Sequence, residues 1–507
     1  MKTSTFFGRI LLTLGITSSF FSCQQQLAEV TPQTSLNQSL VLSDPNAALT
    51  LYNGVYASLR GYHSTLVNLG EMRSDIWADG LYTESEDAGL KQYWSHNISA
   101  ANVPAANWGG FYNLIDRINT VIKLFPKAPL DATKRNLYMA EMYGLRAYVY
   151  FTLFKTWGGV PISTEPVTSV GSLTELYKAR STPQEVMQLI KSDIEQSLTL
   201  FNGGNTLTSK RVYWNRPASL VLKGDVYLWS GTHLGGGNAD FTVAKNALEE
   251  VKSLSSLGLQ ANYADVFDAT KEANNKEIIF ALSFEKNEAT QGAYGSFLVN
   301  TTQAGTLYFD APSGSPVAVN VAYPLVAGAS RVGMSATMLT KLNDPNDKRA
   351  KATFRVMYRN SAGFPIAGII LTKFIGRVDA GVQLYDNDFP IYRYADVLLL
   401  LAEANTKLGN DPSTDLNLLR ARAYGTGLKP YTMGSPTENM NAILDEYLRE
   451  FIGEGKRWWA LRRAGDTYVF ANIPSQYLPA GQNFKFLLPI SVTMLNTDPK
   501  LVQTPGY

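Results

Sequence analysis

Residues Asn441 to Gly465 constrain the fold more than any other stretch, because one helical pattern must hold apolar residues, alternating charges and glycines together. Apolar side chains recur at Ile443, Leu444, Tyr447, Leu448, Phe451 and Ile452, which is helical spacing. Gly453 and Gly455 fall inside that pattern, and each weakens a helix by about 1 kcal/mol relative to alanine. A close approach by another backbone is the simplest reason for them. Arg449, Glu450, Glu454 and Arg457 alternate in sign at helical neighbour spacing. Trp458 and Trp459 follow, and Gly465 ends the segment. The stretch therefore reads as a core helix with partly buried ion pairs, in which Arg457 is expected to pair with Glu450 or Glu454. As an acid/base pair Glu450 and Glu454 are poor candidates, since each has an arginine close by to neutralise it.

The start of the chain has a different character. Met1 to Ser22 carries Lys2 and Arg9, no acid, and an apolar run, the pattern of a secretory signal peptide. It is too short and too rich in Ser and Thr for a spanning helix. Cys23, the only cysteine, follows directly and resembles the lipidated cysteine of a bacterial lipobox. With one cysteine no internal disulfide can form, so the core alone must hold the fold. At 507 residues, 45% of them hydrophobic, the chain can bury such a core. The net charge of +2 falls to about zero once Lys2 and Arg9 are removed, which argues against nucleic acid and electrostatic membrane partners.

Residues 23–40 have the polar composition of a tether. From there helical patterns dominate. Asp44-Pro45 reads as an N-cap with proline in the first turn, followed by an apolar stripe from Ala48 to Leu59. Trp108 to Val121 gives a second stripe. Lys134 to Trp157 is apolar on most of its circumference, hence buried on more than one side, and Gly158, Gly159 and Pro161 stop it. Ala140, Gly144 and Ala147 form a small-residue strip for a close neighbour. Further helices are expected over 182–200, 217–230 and 241–254. Residues 277–284 read as a strand within a loop-rich, aromatic region, 259–388. Helical order is expected again from Pro390 through Arg393 and Asp396 to Ala404. The organisation is thus 1–22 signal, 23–40 lipidated tether, 41–258 an N-terminal helical region and 259–507 a C-terminal region.

No catalytic constellation stands out. His63, His96 and His233 are scattered and lack zinc-ligand spacing, and there is no nucleophile elbow, phosphate loop or dinucleotide fingerprint. Asp386-Asn387-Asp388 lacks the remainder of a calcium loop, so a turn or capping role is preferred and no metal or cofactor is expected. The aromatic supply is large, with 27 Tyr, 23 Phe and 8 Trp. Trp77, Tyr82, Tyr93, Trp94, Tyr294 and Tyr308 lie among Asp, Asn, Gln and Gly, the makeup of flat platforms with a polar rim that a sugar ring requires. They are the candidate ligand-binding residues.

The words Glu450-Phe-x-Gly-Glu454-Gly-x-Arg457-Trp-Trp-x-Leu461-Arg462-Arg463, Trp157-Gly-Gly-Val-Pro161, Asp344-Pro-Asn-Asp347-Lys-Arg349 and the final Asp498 to Tyr507 resemble the SusD/RagB family in order and spacing. The chain departs from the family pattern at Ala460, where an acid is usual. The resemblance covers essentially all of the mature chain. It implies an all-α, TPR-like helical scaffold with a loop-rich ligand-binding region and minor β content. It further implies a non-catalytic, lipid-anchored outer-membrane protein, facing the extracellular side, that captures an oligosaccharide and delivers it to a SusC-type TonB-dependent transporter. A peptide ligand, as in RagB-like members, is the alternative within the family. An α-helical glycoside hydrolase is the alternative outside it, and would need two carboxylates facing across a cleft.

Overall fold

The structure, a computed structural model, describes residues 38–78, 87–104, 107–168, 172–292, 294–298, 307–308, 331–425 and 430–507. Helices dominate from the start. A short helix α1 (Gln38–Ser43) leads into α2 (Pro45–Arg60), whose cap is Asp44, its Oδ1 accepting from Asn46 N at 2.9 Å. Then come α3 (His63–Glu71), α4 (Ala88–Trp94) and α5 (Gly109–Leu124). Helix α6 (Ala132–Trp157) is buried on nearly every side from Ala140 onward, as its apolar circumference requires, and ends at Gly158 with φ of 77°. The small-residue strip is filled by an indole: a Cβ on Gly144 would lie 2.0 Å from Trp214 Nε1.

Helix α7 (Pro183–Phe201) starts with a reciprocal cap between Thr182 and Glu185. It packs on α6, and α8 (Arg216–His233) on α9 (Gly237–Lys252), giving the TPR-like helix pairs of an all-α scaffold. After α10 (Ala336–Leu342) and α11 (Lys348–Thr353), the C-terminal helices are α12 (Tyr394–Lys407), α13 (Ser413–Tyr424), α14 (Pro436–Glu450), α15 (Arg457–Ala464), α16 (Asp466–Asn472) and α17 (Val492–Thr497). Among the described residues no helix is long and apolar enough to cross a membrane.

Two expectations are corrected here. Residues Pro390–Arg393 are not helical. They belong to a strand, Phe389–Arg393, paired antiparallel with the strand Ile278–Leu282 in the register Leu282↔Phe389 and Ile278↔Arg393. Every residue of that strand is buried, and a short run buried on both faces has no period to separate it from a core helix. The helix begins only at Tyr394, where Asp396 accepts from Arg393 N at 2.9 Å. The loop-rich region also contains an antiparallel sheet of Leu307–Tyr308, Phe354–Arg359 and Ile366–Leu371, and a hairpin of Arg377–Asp379 with Val382–Leu384.

The second correction concerns residues 441–465, which are two helices rather than one. α14 stops at Glu450, and Gly453 (φ 83°) and Gly455 (φ 70°) turn the chain into α15. The expected close approach is present. A Cβ on Gly70 of α3 would sit 1.7 Å from Gly455 O, so helix α3 lies directly against the turn.

Candidate functional site

The charged residues of the turn build a buried lattice. Arg393, at the end of its strand, donates to Glu277 Oε1 (2.8 Å), Glu450 Oε1 (2.6 Å) and both oxygens of Glu454 (2.8 and 2.9 Å). Lys373 adds a bond to Glu454 Oε1 at 2.5 Å, and Arg349 bridges Asp347 (2.8 Å), Glu446 (2.8 Å) and Glu450 (3.1 Å). Arg422 joins Glu277 to Glu450. Burial alone would raise the Glu454 carboxyl, but Arg393, then Lys373 and Lys456, hold it at about 2. Glu450 is likewise held well below the usual carboxylate range by Arg422, Arg393 and Arg349 against the effect of burial. Two anions saturated in this way cannot exchange protons near neutral pH, so the lattice is structural.

Arg457 is buried and paired, but not with Glu450 or Glu454. Its partner is Asp75, with Nε–Oδ1 and Nη2–Oδ2 distances both 2.8 Å, while Nη1 donates to Leu444 O at 2.6 Å. Glu71 closes the same region by accepting from Gly453 N (2.7 Å), Gly455 N (2.8 Å) and Trp77 Nε1 (3.0 Å). Burial pushes its carboxyl up to about 7 despite these bonds.

A cleft with room for a ligand lies elsewhere among the described residues, at the start of α5. Its volume is about 810 Å³, within the range of about 300–1,000 Å³ usual for small-molecule sites. One wall is the face of α5 carrying Tyr112, Asn113 and Asp116, preceded by Asn107 and Trp108. The spacing of those residues places them on one side of the helix. The second wall is the extended segment Pro161–Thr168, and the third is α17 and the chain just after it, with Thr493, Met494, Thr497, Asp498 and Leu501. Glu175, Leu176 and Lys178 close the remaining side.

Hydrogen bonds fix these walls against one another. Tyr112 donates its hydroxyl to Pro161 O, Asp116 Oδ1 accepts from Val167 N at 2.7 Å, and Asn119 donates to Ser163 O at 3.0 Å. Lys178 N donates to Asp498 Oδ2 at 3.1 Å, and Lys178 Nζ to Ser163 Oγ at 3.1 Å. Val492 N donates to Ala100 O at 3.0 Å and so ties α17 to the chain leading into α5. The exposed lining offers amides and hydroxyls from Asn113, Thr493 and Thr497, with apolar surface from Pro166, Val167 and Leu176 between them. Such a surface can meet a ligand that carries hydroxyls around an apolar face.

The SusD family profile matches residues 356–507, and the profile described as starch-binding, associating with outer membrane, matches residues 29–216. The solved structure of B. fragilis NanU superposes with a TM-score of 0.84 at 31% identity, covering 94% of this chain and 100% of NanU. The chain belongs to the SusD family. SusD-like protein P38 of Formosa agariphila is 25% identical over 98% of both chains. Starch-binding protein SusD of Bacteroides thetaiotaomicron is 31% identical over 129 residues, which is 24% of this chain and 22% of that one.

The structure places the aromatic candidates of this SusD-family chain mostly in the core. Trp77 (2% exposed) bonds Glu71, and Tyr93 (5%) and Trp94 (2%) face inward from α4. Tyr294 (2%) stacks on Phe374 at 4.7 Å and donates to Gly453 O at 2.6 Å. None of these four lines the cleft, which corrects their assignment as ligand platforms. Their polar neighbours misled: Asp75 beside Trp77 serves Arg457, and His96 beside Trp94 serves the backbone, its Nε2 3.0 Å from Arg73 O. Tyr82 and the side chain of Tyr308 lie outside the described residues.

Asp386 pairs with Arg377 at 2.7 Å and Asp388 accepts from Phe284 N at 2.8 Å, so both carboxylates hold separate parts of the chain together rather than capping a helix or a turn. The cleft residues themselves were not singled out from the sequence. The available signals were the words Trp157-Gly-Gly-Val-Pro161 and Asp498-Pro499, each of which runs into a cleft wall.

Proposed function

We propose that this SusD-family protein is a non-catalytic, cell-surface glycan-binding lipoprotein. In this reading it captures an oligosaccharide in the cleft between α5, Pro161–Thr168 and α17, and delivers it to a SusC-type TonB-dependent transporter. Cys23 carries the lipid that holds it to the outer membrane, with the cleft on the extracellular side. The observation that carries the reading is the cleft itself: about 810 Å³ of open space with amides and hydroxyls set between apolar patches. The starch-binding description of the matching profile and the name of the B. thetaiotaomicron relative support a glycan as the ligand class.

The test is calorimetric titration of the mature protein with a panel of oligosaccharides and, in parallel, a peptide library. A glycan should bind, remain uncleaved, and lose tenfold or more in affinity, about 1.4 kcal/mol, in the Asn113→Ala/Thr497→Ala double variant. Binding of peptides alone, release of cleaved sugar, or glycan affinity unchanged in the double variant would each overturn the assignment.

A further inference from the structure

A different pocket presents an exposed aromatic ring on a rigid mount. Tyr213 is 36% exposed. Its ring stacks on Tyr52 at 5.9 Å and 15°, and meets Tyr56 edge-on at 5.1 Å and 83°. Tyr52 and Tyr56 are themselves pinned, since both donate their hydroxyls to Glu141 Oε2 inside the scaffold. The backbone on either side of Tyr213 is also tied down. Trp214 N donates to Tyr56 Oη at 3.1 Å, Asn215 Nδ2 to Tyr213 O at 3.2 Å, and Ala281 N to Arg211 O at 3.0 Å.

Beside this ring lies a pocket of about 330 Å³, formed by α2, the Val212–Tyr213 loop and the strand Ile278–Leu282, with no lining residue in common with the cleft. That volume is at the lower end of the ligand range of about 300–1,000 Å³. Its polar groups are mutually neutralised. Arg60 Nη1 pairs with Glu288 at 2.6 Å and donates to Ser283 O at 3.2 Å, and Glu285 pairs with Lys210 at 2.9 Å. Asn53 adds an amide from the exposed side of α2.

We propose that this pocket is a second saccharide site, taking one or two rings of a neutral sugar. The apolar C–H face of the sugar lies on Tyr213, and its hydroxyls reach Asn53 and the Arg60–Glu288 pair. Tyrosine suits the task because it offers a rigid, amphipathic surface that loses little conformational freedom on contact. The balanced charge favours a neutral sugar over a uronate or sulfated one. The site does not depend on the cleft being the capture site, and a chain carrying both would hold a long glycan at two points, raising its effective concentration at each.

The experiment is saturation-transfer NMR of the mature protein with maltose, cellobiose and lactose as probes, with dissociation constants from titration. At least one disaccharide should bind the unaltered chain and retain its affinity in the cleft double variant Asn113→Ala/Thr497→Ala. Tyr213→Ala should weaken that binding tenfold or more, Tyr213→Phe should preserve it, and Asn53→Trp, which fills the pocket from an exposed helix position, should abolish it. The Asn53→Trp arm decides the matter if Tyr213→Ala disturbs folding. Absence of binding for all three probes, or binding that survives Asn53→Trp in the Asn113→Ala/Thr497→Ala background, overturns the proposal.

Discussion

Replacing Glu454 by glutamine removes one charge from the buried lattice while keeping its shape. The cost can be worked in two ways. Glu454 accepts from Arg393 at 2.8 and 2.9 Å and from Lys373 at 2.5 Å, with none of the three side chains exposed. Breaking a buried pair by removing one partner costs about 3–5 kcal/mol, because the other charge is left unbalanced. Separately, a carboxyl held at about 2 instead of 4.5 corresponds to about 3 kcal/mol of stability at neutral pH, at roughly 1.4 kcal/mol per pKa unit. The two routes agree on about 3 kcal/mol or more.

The pH dependence has a definite sign. The folded pKa is depressed, so the contribution is fully present above about pH 4.5 and is lost as pH falls through about 2. Denaturant unfolding at pH 7 should therefore show Glu454→Gln less stable by about 3 kcal/mol, and the gap between the two proteins should narrow on acidification below pH 4.5. Glycan affinity of the folded variant at pH 7 should be unchanged, because Glu454 does not line the cleft. A variant within about 1 kcal/mol of the parent, less than one buried pair is worth, or a gap that does not narrow with acid, would refute the structural reading of the signature.

Other outcomes follow from the same contacts. Arg457→Ala leaves Asp75 buried without its cation and should cost about 3–5 kcal/mol in unfolding measurements without selectively abolishing ligand binding. Gly70→Ala places a methyl 1.7 Å from Gly455 O, so it should destabilise beyond the about 1–3 kcal/mol usual for overpacking, seen as a lower melting temperature and reduced soluble yield. Cys23→Ala should move the mature protein from the membrane fraction to the soluble one. Continued membrane association of that variant would remove the lipid anchor from the proposal, since acyl chains contribute about 0.8 kcal/mol per buried CH₂.

Local chemistry was legible in the sequence wherever its partners were near. The Asp44 cap and the Gly158 stop of α6 are set by residues a few positions apart. The paired glycines correctly announced a backbone contact, although the turn they make ended the helix they were expected to interrupt. The burial of Arg457 could be read from its setting, but its partner Asp75 lies 382 residues away and no spacing rule reaches it. The same distance effect hid the site. A polar neighbour in the sequence signals either solvent or a remote counter-charge, and for Trp77 it was the counter-charge. The cleft draws on Asn113, Ser163 and Thr497, which share no sequence pattern, and only the packing of α17 against the N-terminal helices makes them neighbours.

That arrangement has a consequence for when the protein becomes competent. The Thr493–Leu501 wall is held by Asp498 on Lys178 and, just beyond, by Arg180 donating to Val502 O at 3.1 Å and Thr504 Oγ1 at 3.2 Å. These bonds join positions more than three hundred residues apart in the chain. Such long-range closures are slow steps in folding because loop entropy must be overcome first. The wall of the proposed cleft therefore forms only once these distant parts of the chain have met, and a proteolytic clip ahead of Val492 should weaken that wall by cutting its covalent link to the rest of the chain.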